Sequence, residues 1–358
     1  MTRDYSRFFP NLSTNTGSEP RSVLDTLGWQ PFFAQQISSE EIEGTPPVRV
    51  TKVHRSGLHV QGAEGKFVLP PRSDATVGDW IMYNEALPNS SRVLARKSLY
   101  QRRAPGTDRQ MQLIAANIDT AFIVTSCNQD FNIARLERYI ALALEAEVTP
   151  VIVLTKADLS DDAGHYVETA ETISDRVAVV VLDARGDEPE AKLAPWCKPK
   201  QTLAFLGSSG VGKSTLVNTL AGTDVTTQGI REDDSKGRHT TTHRQLHLLK
   251  NGCTVLDTPG MRELQITGAT SGVSELFEDL TELSTQCKFS DCKHESEPGC
   301  RVLAAVARGE VDASRLQRWT KLVAEDRFHS ASLQERKSKD KSLGKLVRAE
   351  QKRKRNRK

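Results

Sequence analysis

The run Gly207-Ser208-Ser209-Gly210-Val211-Gly212-Lys213-Ser214 concentrates more chemistry than any other stretch of the chain. Its glycines let successive backbone N–H groups converge on phosphate oxygens with no Cβ in the way. A helix expected from about Lys213 to Leu220 would add the partial positive charge of its N-terminus. Lys213 can neutralise β- and γ-phosphates, Ser214 can ligate Mg²⁺, and Thr215 follows in the same turn. The apolar run "TLAFLGS" (202–208) supplies the strand that such a loop needs. Binding of a nucleoside triphosphate with magnesium follows, but this pattern alone does not select the base.

Roughly forty residues further on, "CTVLDTPG" reads as a strand ending in Asp257-Thr258-Pro259-Gly260. Asp257 can hold a Mg²⁺-bound water, and the Gly260 amide can face a γ-phosphate. Between the two lies "SKGRHTTTHRQL" (235–246), where Thr240 or Thr241 could complete the magnesium shell as part of a switch segment. The candidate for reading the base comes earlier in the chain. Thr155-Lys156-Ala157-Asp158 follows the apolar run "TPVIVLT" (149–155). The Asp158 carboxylate can accept from guanine N1–H and its 2-amino group, a pair that adenine does not offer, and the Lys156 stem can lie along the purine. Asp183-Ala184, after "VAVVV", is a further base-supporting loop. Base-reading elements upstream of the phosphate loop imply circular permutation. A parallel sheet tolerates this, because joining the old termini and opening a surface loop leaves the carboxyl edge of the strands intact.

A different chemistry is written in "CKFSDCKHESEPGC", which places Cys287, Cys292, His294 and Cys300 close together. Three thiolates and an imidazole form a full tetrahedral set for a structural Zn²⁺ ion, with no open catalytic position. Free thiols in a loop are the alternative, and Cys253 is a possible decoy. Cys127, Cys197 and Cys253 are otherwise expected as small packing residues.

The elements that must position these groups fall into zones. The first 45 residues read as an arm ending in "LGWQPFF", where Trp29, Phe32 and Phe33 could dock on the body. Over 46–106, short β-rich runs ("VRVTKV", "GLHVQG", "KFVLP", "DWIMYN", "RVLARK") separated by turn residues suggest a small OB-type β-barrel, with basic residues at its exit suited to RNA. "QRRAPGTD" reads as a linker. Over 107–270, Val/Ile/Leu runs alternate with helical patterns, the texture of a parallel sheet in an α/β layer fold. Helices surround the cysteine cluster over 271–330. The tail 331–358 is basic: from Arg336 to Lys358, twelve Lys or Arg oppose two acidic residues, a local +10 that leaves −7 on the rest of a chain of net charge +3. That polarity favours a polyanionic partner. No apolar run reaches the roughly 18 residues needed to span a membrane. The N-terminus lacks a signal-peptide pattern, so a reducing cytoplasm is expected.

"LTKADL", "GSSGVGKSTLVN", "KGRHTTTHRQL", "DTPGMRE" and the cysteine cluster together resemble the circularly permuted GTPases of small ribosomal subunit assembly, the RsgA/YjeQ family, from about Val48 to Phe328. The resemblance implies an OB domain, a permuted GTPase domain and a zinc domain. It also implies zinc and Mg²⁺-GTP as cofactors, the small subunit and its rRNA as partner, and subunit-stimulated hydrolysis of GTP to GDP. A monomer is expected, since coiled-coil heptads are lacking. Thr155 stands where Asn is more usual, and Met261 stands where other GTPases place a water-orienting Gln. His239, beside the switch threonines, is the candidate to replace that Gln. The competing readings are an RNA-binding scaffold with a GTP-operated latch and negligible hydrolysis, and a P-loop ATPase or kinase.

Overall fold

The computed structural model describes residues 22–103, 111–221, 244–249, 251–257 and 268–330. Packing divides them into two units. One holds the described residues up to 257 together with Ser271–Glu278, and the other holds 268–270 and those from 279 on.

The first unit begins with three short helices, α1 (Val23–Thr26), α2 (Pro31–Ala34) and α3 (Ser39–Gly44). Ser22 and Asp25 cap α1 reciprocally, and Pro31 starts α2 with its φ already suited to the first helical position. Trp29 and Phe33 dock on Trp80, with Trp29 edge-on at 4.7 Å between centroids. Phe32, expected to dock with them, stays on the surface at 38% exposure. Five strands follow where the β-rich runs lie: β1 (Pro47–His54), β2 (Gly57–Gly62), β3 (Gly65–Leu69), β4 (Trp80–Met82) and β5 (Arg92–Val93). They pair antiparallel in the order β3-β2-β1-β4-β5 over a core that includes Val48, Val50, Leu58, Val60 and Ile81. The segment read as a linker is partly strand. β6 (Leu99–Arg103) pairs antiparallel with β7 (Met111–Ala116) in a separate two-stranded sheet.

The α/β core of this unit runs β8 (Thr120–Ser126), α4 (Ile133–Glu145), β9 (Thr149–Thr155), α5 (Ala163–Glu171), β10 (Ala178–Val181), α6 (Glu188–Leu193), β11 (Thr202–Leu206), α7 (Lys213–Ala221), β12 (Arg244–Leu248) and β13 (Thr254–Asp257). Its strands lie in the order β10-β9-β8-β11-β13-β12, parallel except for β12. β8 is buried at every position, which explains its uninterrupted apolar run. Cys127, Cys197 and Cys253 are all buried, as packing residues should be. β12 also pairs antiparallel with β1, through Lys52 with Gln245 and Val53 with Arg244, so one sheet runs from the core into the β-rich module.

Arg49 of β1 stitches that junction. Its guanidinium is wholly buried and donates to the Thr202 hydroxyl (2.8 Å), the Gly78 carbonyl (3.3 Å), the Asn117 carbonyl (3.4 Å) and the Leu27 carbonyl. Burial pushes its pKa down to about 10, still charged at neutral pH, with Asp119 and Asp79 offsetting part of the loss of water.

Helix α8 (Thr270–Leu276) precedes α9 (Glu278–Thr285), α10 (Arg301–Ala307) and α11 (Ala313–Ser330). Gly272 of α8 lies so close to α4 that a Cβ there would sit 2.0 Å from the Ala141 carbonyl oxygen. The second unit is helical, with the cysteine-bearing loop between α9 and α10.

Candidate nucleotide site and metal centre

The glycine-rich loop leaves β11 where the strand order reverses, because β8 to β10 lie on one side of β11 and β13 on the other. In open α/β sheets this is where ligands bind, at the carboxyl ends of the strands. Gly207, at φ +139°, ends β11 earlier than the apolar run suggests, and a Cβ there would meet the Val124 carbonyl oxygen at 2.2 Å. Val211 anchors the loop in the core, while Ser209 and Gly210 are exposed at its crest. Lys213 and Ser214 open α7, so the helix N-terminus points where the glycines converge. Lys213 Nζ donates to the Ser208 carbonyl.

The Thr155-Lys156-Ala157-Asp158 loop ends β9 and docks on the phosphate loop. Fully buried Thr155 donates its hydroxyl to the Val211 carbonyl at 2.8 Å, with a longer approach of 3.3 Å to the Thr125 carbonyl. Lys156 takes the left-handed conformation (φ +55°), and its ammonium donates to the Gly210 carbonyl at 2.7 Å, so its aliphatic stem bridges the two loops. Asp158, in the short 3₁₀ turn that follows, is exposed.

The loop holding Asp183 and Ala184 closes on the same place. Thr219 of α7 donates to the Ala184 carbonyl at 2.9 Å. Arg185, which no motif marks, donates to both Asp158 and Asp183 at 3.3 Å. The Arg185 amide, followed by its guanidinium, holds the Asp183 carboxyl below the usual range. The structure therefore gathers Thr155, Lys156, Asp158, Asp183 and Ala184 around Gly207–Ser214, although they lie upstream in the chain. Asp257 ends β13, the parallel neighbour of β11. Thr240, Thr241, His239, Gly260 and Met261 lie outside the described residues.

Sequence spacing missed a second contact of the loop. Arg135, in the first turn of α4, donates from Nη1 to the Ser208 hydroxyl. It belongs to no recognised motif. The available signal was a basic residue placed three positions after a helix-capping Asn132.

In the second unit, one donor atom from each of Cys287, Cys292, His294 and Cys300 lies within 4.8 Å of the others. Cys287 Sγ is 3.7 Å from His294 Nδ1 and 3.8 Å from Cys300 Sγ, and His294 Nδ1 is 3.4 Å from Cys300 Sγ. Tetrahedral zinc with its usual bond lengths separates sulfur and nitrogen ligands by about 3.5–3.8 Å, so the donor set fits that ion. Cys300 caps α10, and the His294 ring, held by a left-handed backbone (φ +59°), lies 5.3 Å from Trp319 of α11. Glu297 accepts from the amides of Lys293 (2.8 Å), Glu295 (2.9 Å) and Ser296 (3.0 Å), which hold its carboxyl down at about 2 and fold the ligand loop around it. Cys253 lies in the first unit, buried among core residues.

A groove of about 480 Å³ runs along β1, β2, β3 and β12, lined in part by Lys52, His59, Lys66, Phe67 and His247. Among the described residues no helix is long and apolar enough to cross a membrane.

A phosphate loop on a parallel sheet, with its base-side loops encoded upstream, defines a circularly permuted P-loop GTPase. Two solved structures share the fold. YjeQ from Thermotoga maritima matches at TM-score 0.57 and 26% identity, over 78% of this chain and 97% of that one. YloQ, described as a circularly permuted GTPase, matches at TM-score 0.56 and 23% identity, over 83% and 100%, a likeness of fold alone. The RsgA GTPase family model matches residues 93–267. The ABC transporter model also matches, over 193–350, a range that opens just before the phosphate loop common to P-loop proteins. The small ribosomal subunit biogenesis GTPase RsgA 2 of Vibrio vulnificus (strain CMCP6) is 45% identical over 337 residues, 93% of this chain and 96% of that protein. The small ribosomal subunit biogenesis GTPase RsgA of Mesorhizobium japonicum is 48% identical over 330 residues, 90% and 94% of the two chains. With identity of that order sustained over nine-tenths of its length, the chain belongs to the RsgA GTPase family.

Proposed function

We propose that this GTP hydrolase acts in late maturation of the small ribosomal subunit, binding the subunit in its GTP state and leaving after subunit-stimulated hydrolysis. The observation that carries the reading is the docking of the Thr155–Asp158 loop on the phosphate loop, in a chain whose relatives are named for small-subunit biogenesis. Asp158 would accept from guanine N1–H and the 2-amino group, with the Lys156 stem along the base and the Asp183–Ala184 loop supporting it. Backbone amides of Gly207–Ser214, with Lys213, would hold the phosphates. Ser214, Thr240 or Thr241, and Asp257 through water would hold Mg²⁺, which would supply neutralisation of phosphate charge. Thr215, in the first turn of α7, would join them in holding the nucleotide. The Gly260 amide would face the γ-phosphate. Met261 cannot orient water, so intrinsic turnover is slow, and His239 orients or deprotonates it once the partner completes the site.

The strand order β3-β2-β1-β4-β5 supports reading 46–106 as an OB-type barrel, and the Lys52, His59, Lys66 and Phe67 groove supports RNA as its ligand. Residues 107–270 form the permuted GTPase domain, 271–330 a zinc-binding helical domain, and 331–358 a basic tail that adds affinity for rRNA phosphates. The protein works as a cytoplasmic monomer.

Co-sedimentation of the full chain with purified subunits tests this. Binding to small subunits in a non-hydrolysable GTP analogue, weaker in GDP and absent from large subunits, is expected. Equal binding to both subunits, or binding blind to the nucleotide, would overturn the reading.

A further inference from the structure

Two cations meet at one residue of the phosphate loop. Lys213 donates to the Ser208 carbonyl and Arg135 donates to the Ser208 hydroxyl. Arg135 comes from a different element, the first turn of α4, which follows β8, the parallel neighbour of β11. Its backbone is fixed there. Asn132 caps the helix by accepting from the Arg135 amide at 2.9 Å, the Phe131 amide donates to the Asn128 carbonyl at 3.0 Å, and the following Leu136 and Glu137 are buried.

Helix electrostatics make this an unfavourable place for a positive side chain. The first turn of α4 and the N-terminus of α7 both present partial positive charge. The partner described for the Arg135 side chain is a neutral hydroxyl, which does little to offset that repulsion. A multiply charged anion on the loop would offset it. A guanidinium also has more donors, in a planar fork suited to phosphate, than one serine oxygen can take.

We infer that Arg135 is a γ-phosphate-recognising residue, a guanidinium supplied in cis from α4 that bonds a terminal phosphate oxygen of GTP and thereby distinguishes GTP from GDP. The same contact stabilises the charge that gathers on the γ-phosphoryl oxygens during hydrolysis, a role open to an arginine in a GTPase whose residue after Gly260 is Met261. The inference rests on reading Gly207–Ser214 as the phosphate site.

The test measures binding of fluorescent GDP and a fluorescent non-hydrolysable GTP analogue to the full chain with Mg²⁺, and single-turnover GTP hydrolysis, for wild type, Arg135→Gln, Arg135→Lys and Lys213→Ala. Arg135→Gln should weaken the GTP analogue by about tenfold or more and GDP by less than about twofold, the loss of one charge-assisted hydrogen bond. It should slow single turnover and leave the melting temperature unchanged. Arg135→Lys should recover part of both losses, since it restores charge without the fork. If Arg135→Gln keeps the wild-type preference for GTP over GDP and the wild-type rate, the inference is wrong. Equal weakening of both nucleotides also overturns it, since that marks a prop for the loop. Lys213→Ala separates the two readings. Wild-type binding of both nucleotides by that variant would sink the site itself, whereas loss of both, with Arg135→Gln unaffected, would sink only the role of Arg135.

Discussion

Thr155 ties its loop to the phosphate loop through a single hydroxyl. Asparagine offers a donor and an acceptor, whereas threonine has one proton to give, and the 2.8 Å contact gives it to the Val211 carbonyl. The tie between the Thr155–Asp158 loop and the phosphate loop is therefore one that a hydroxyl can make where an amide would also serve. Thr155→Val keeps the shape and removes the hydroxyl. One neutral hydrogen bond is worth about 1 kcal/mol, so GTP and GDP affinity should both fall about fivefold with kcat unchanged, measured by displacement of fluorescent GDP. Unchanged affinity would mean that the tie is idle. The glycines of the phosphate loop were legible in the sequence because the turn takes positive φ at Gly207, Gly210 and Gly212, which their residue type allows. Arg135 and Arg185 were not, because long side chains reach across elements whose adjacency no spacing records.

At the scale of elements, the Val/Ile/Leu runs located the buried strands well. β8 and β9 have the expected bounds, since a strand buried on both faces admits nothing else. β11 stops two residues short of its apolar run, at the left-handed Gly207. The β6–β7 pair escaped because short arms of mixed polarity carry no clear period. Nor does any local pattern announce that β1 pairs with β12. This junction depends on Arg49, whose removal would leave several buried oxygens without their donor. Arg49→Met, of similar length and no charge, should destabilise the first unit by about 2–4 kcal/mol, seen as a lower denaturant midpoint. A midpoint equal to wild type would show that apolar packing against Trp80 carries the joint instead.

For the molecule as a whole, the division into two units predicts two kinds of stability. The helical unit holds a donor set that fits zinc, and Glu297 braces its ligand loop through three amides. The first unit rests on broad apolar cores. Treatment with a strong chelator should release one zinc ion per chain and melt the helical unit alone, while GDP affinity stays within about twofold of its starting value. Circular dichroism, metal analysis and nucleotide binding on one sample check this. Retention of all helical signal after complete zinc loss would contradict a metal-folded unit. The cluster itself was readable from Cys287 to Cys300, because ligand types at short spacing are a local property; its bracing by Glu297 and Trp319 emerges only from the fold.

If the small ribosomal subunit completes the site of this GTPase, GTP turnover by the full chain, alone and with purified small or large subunits and with ATP as control nucleotide, will show it. Slow turnover alone, strong stimulation by the small subunit only and no hydrolysis of ATP are predicted. Turnover indifferent to both subunits, despite tight GTP binding, would contradict the account and leave a nucleotide-operated RNA-binding latch in its place.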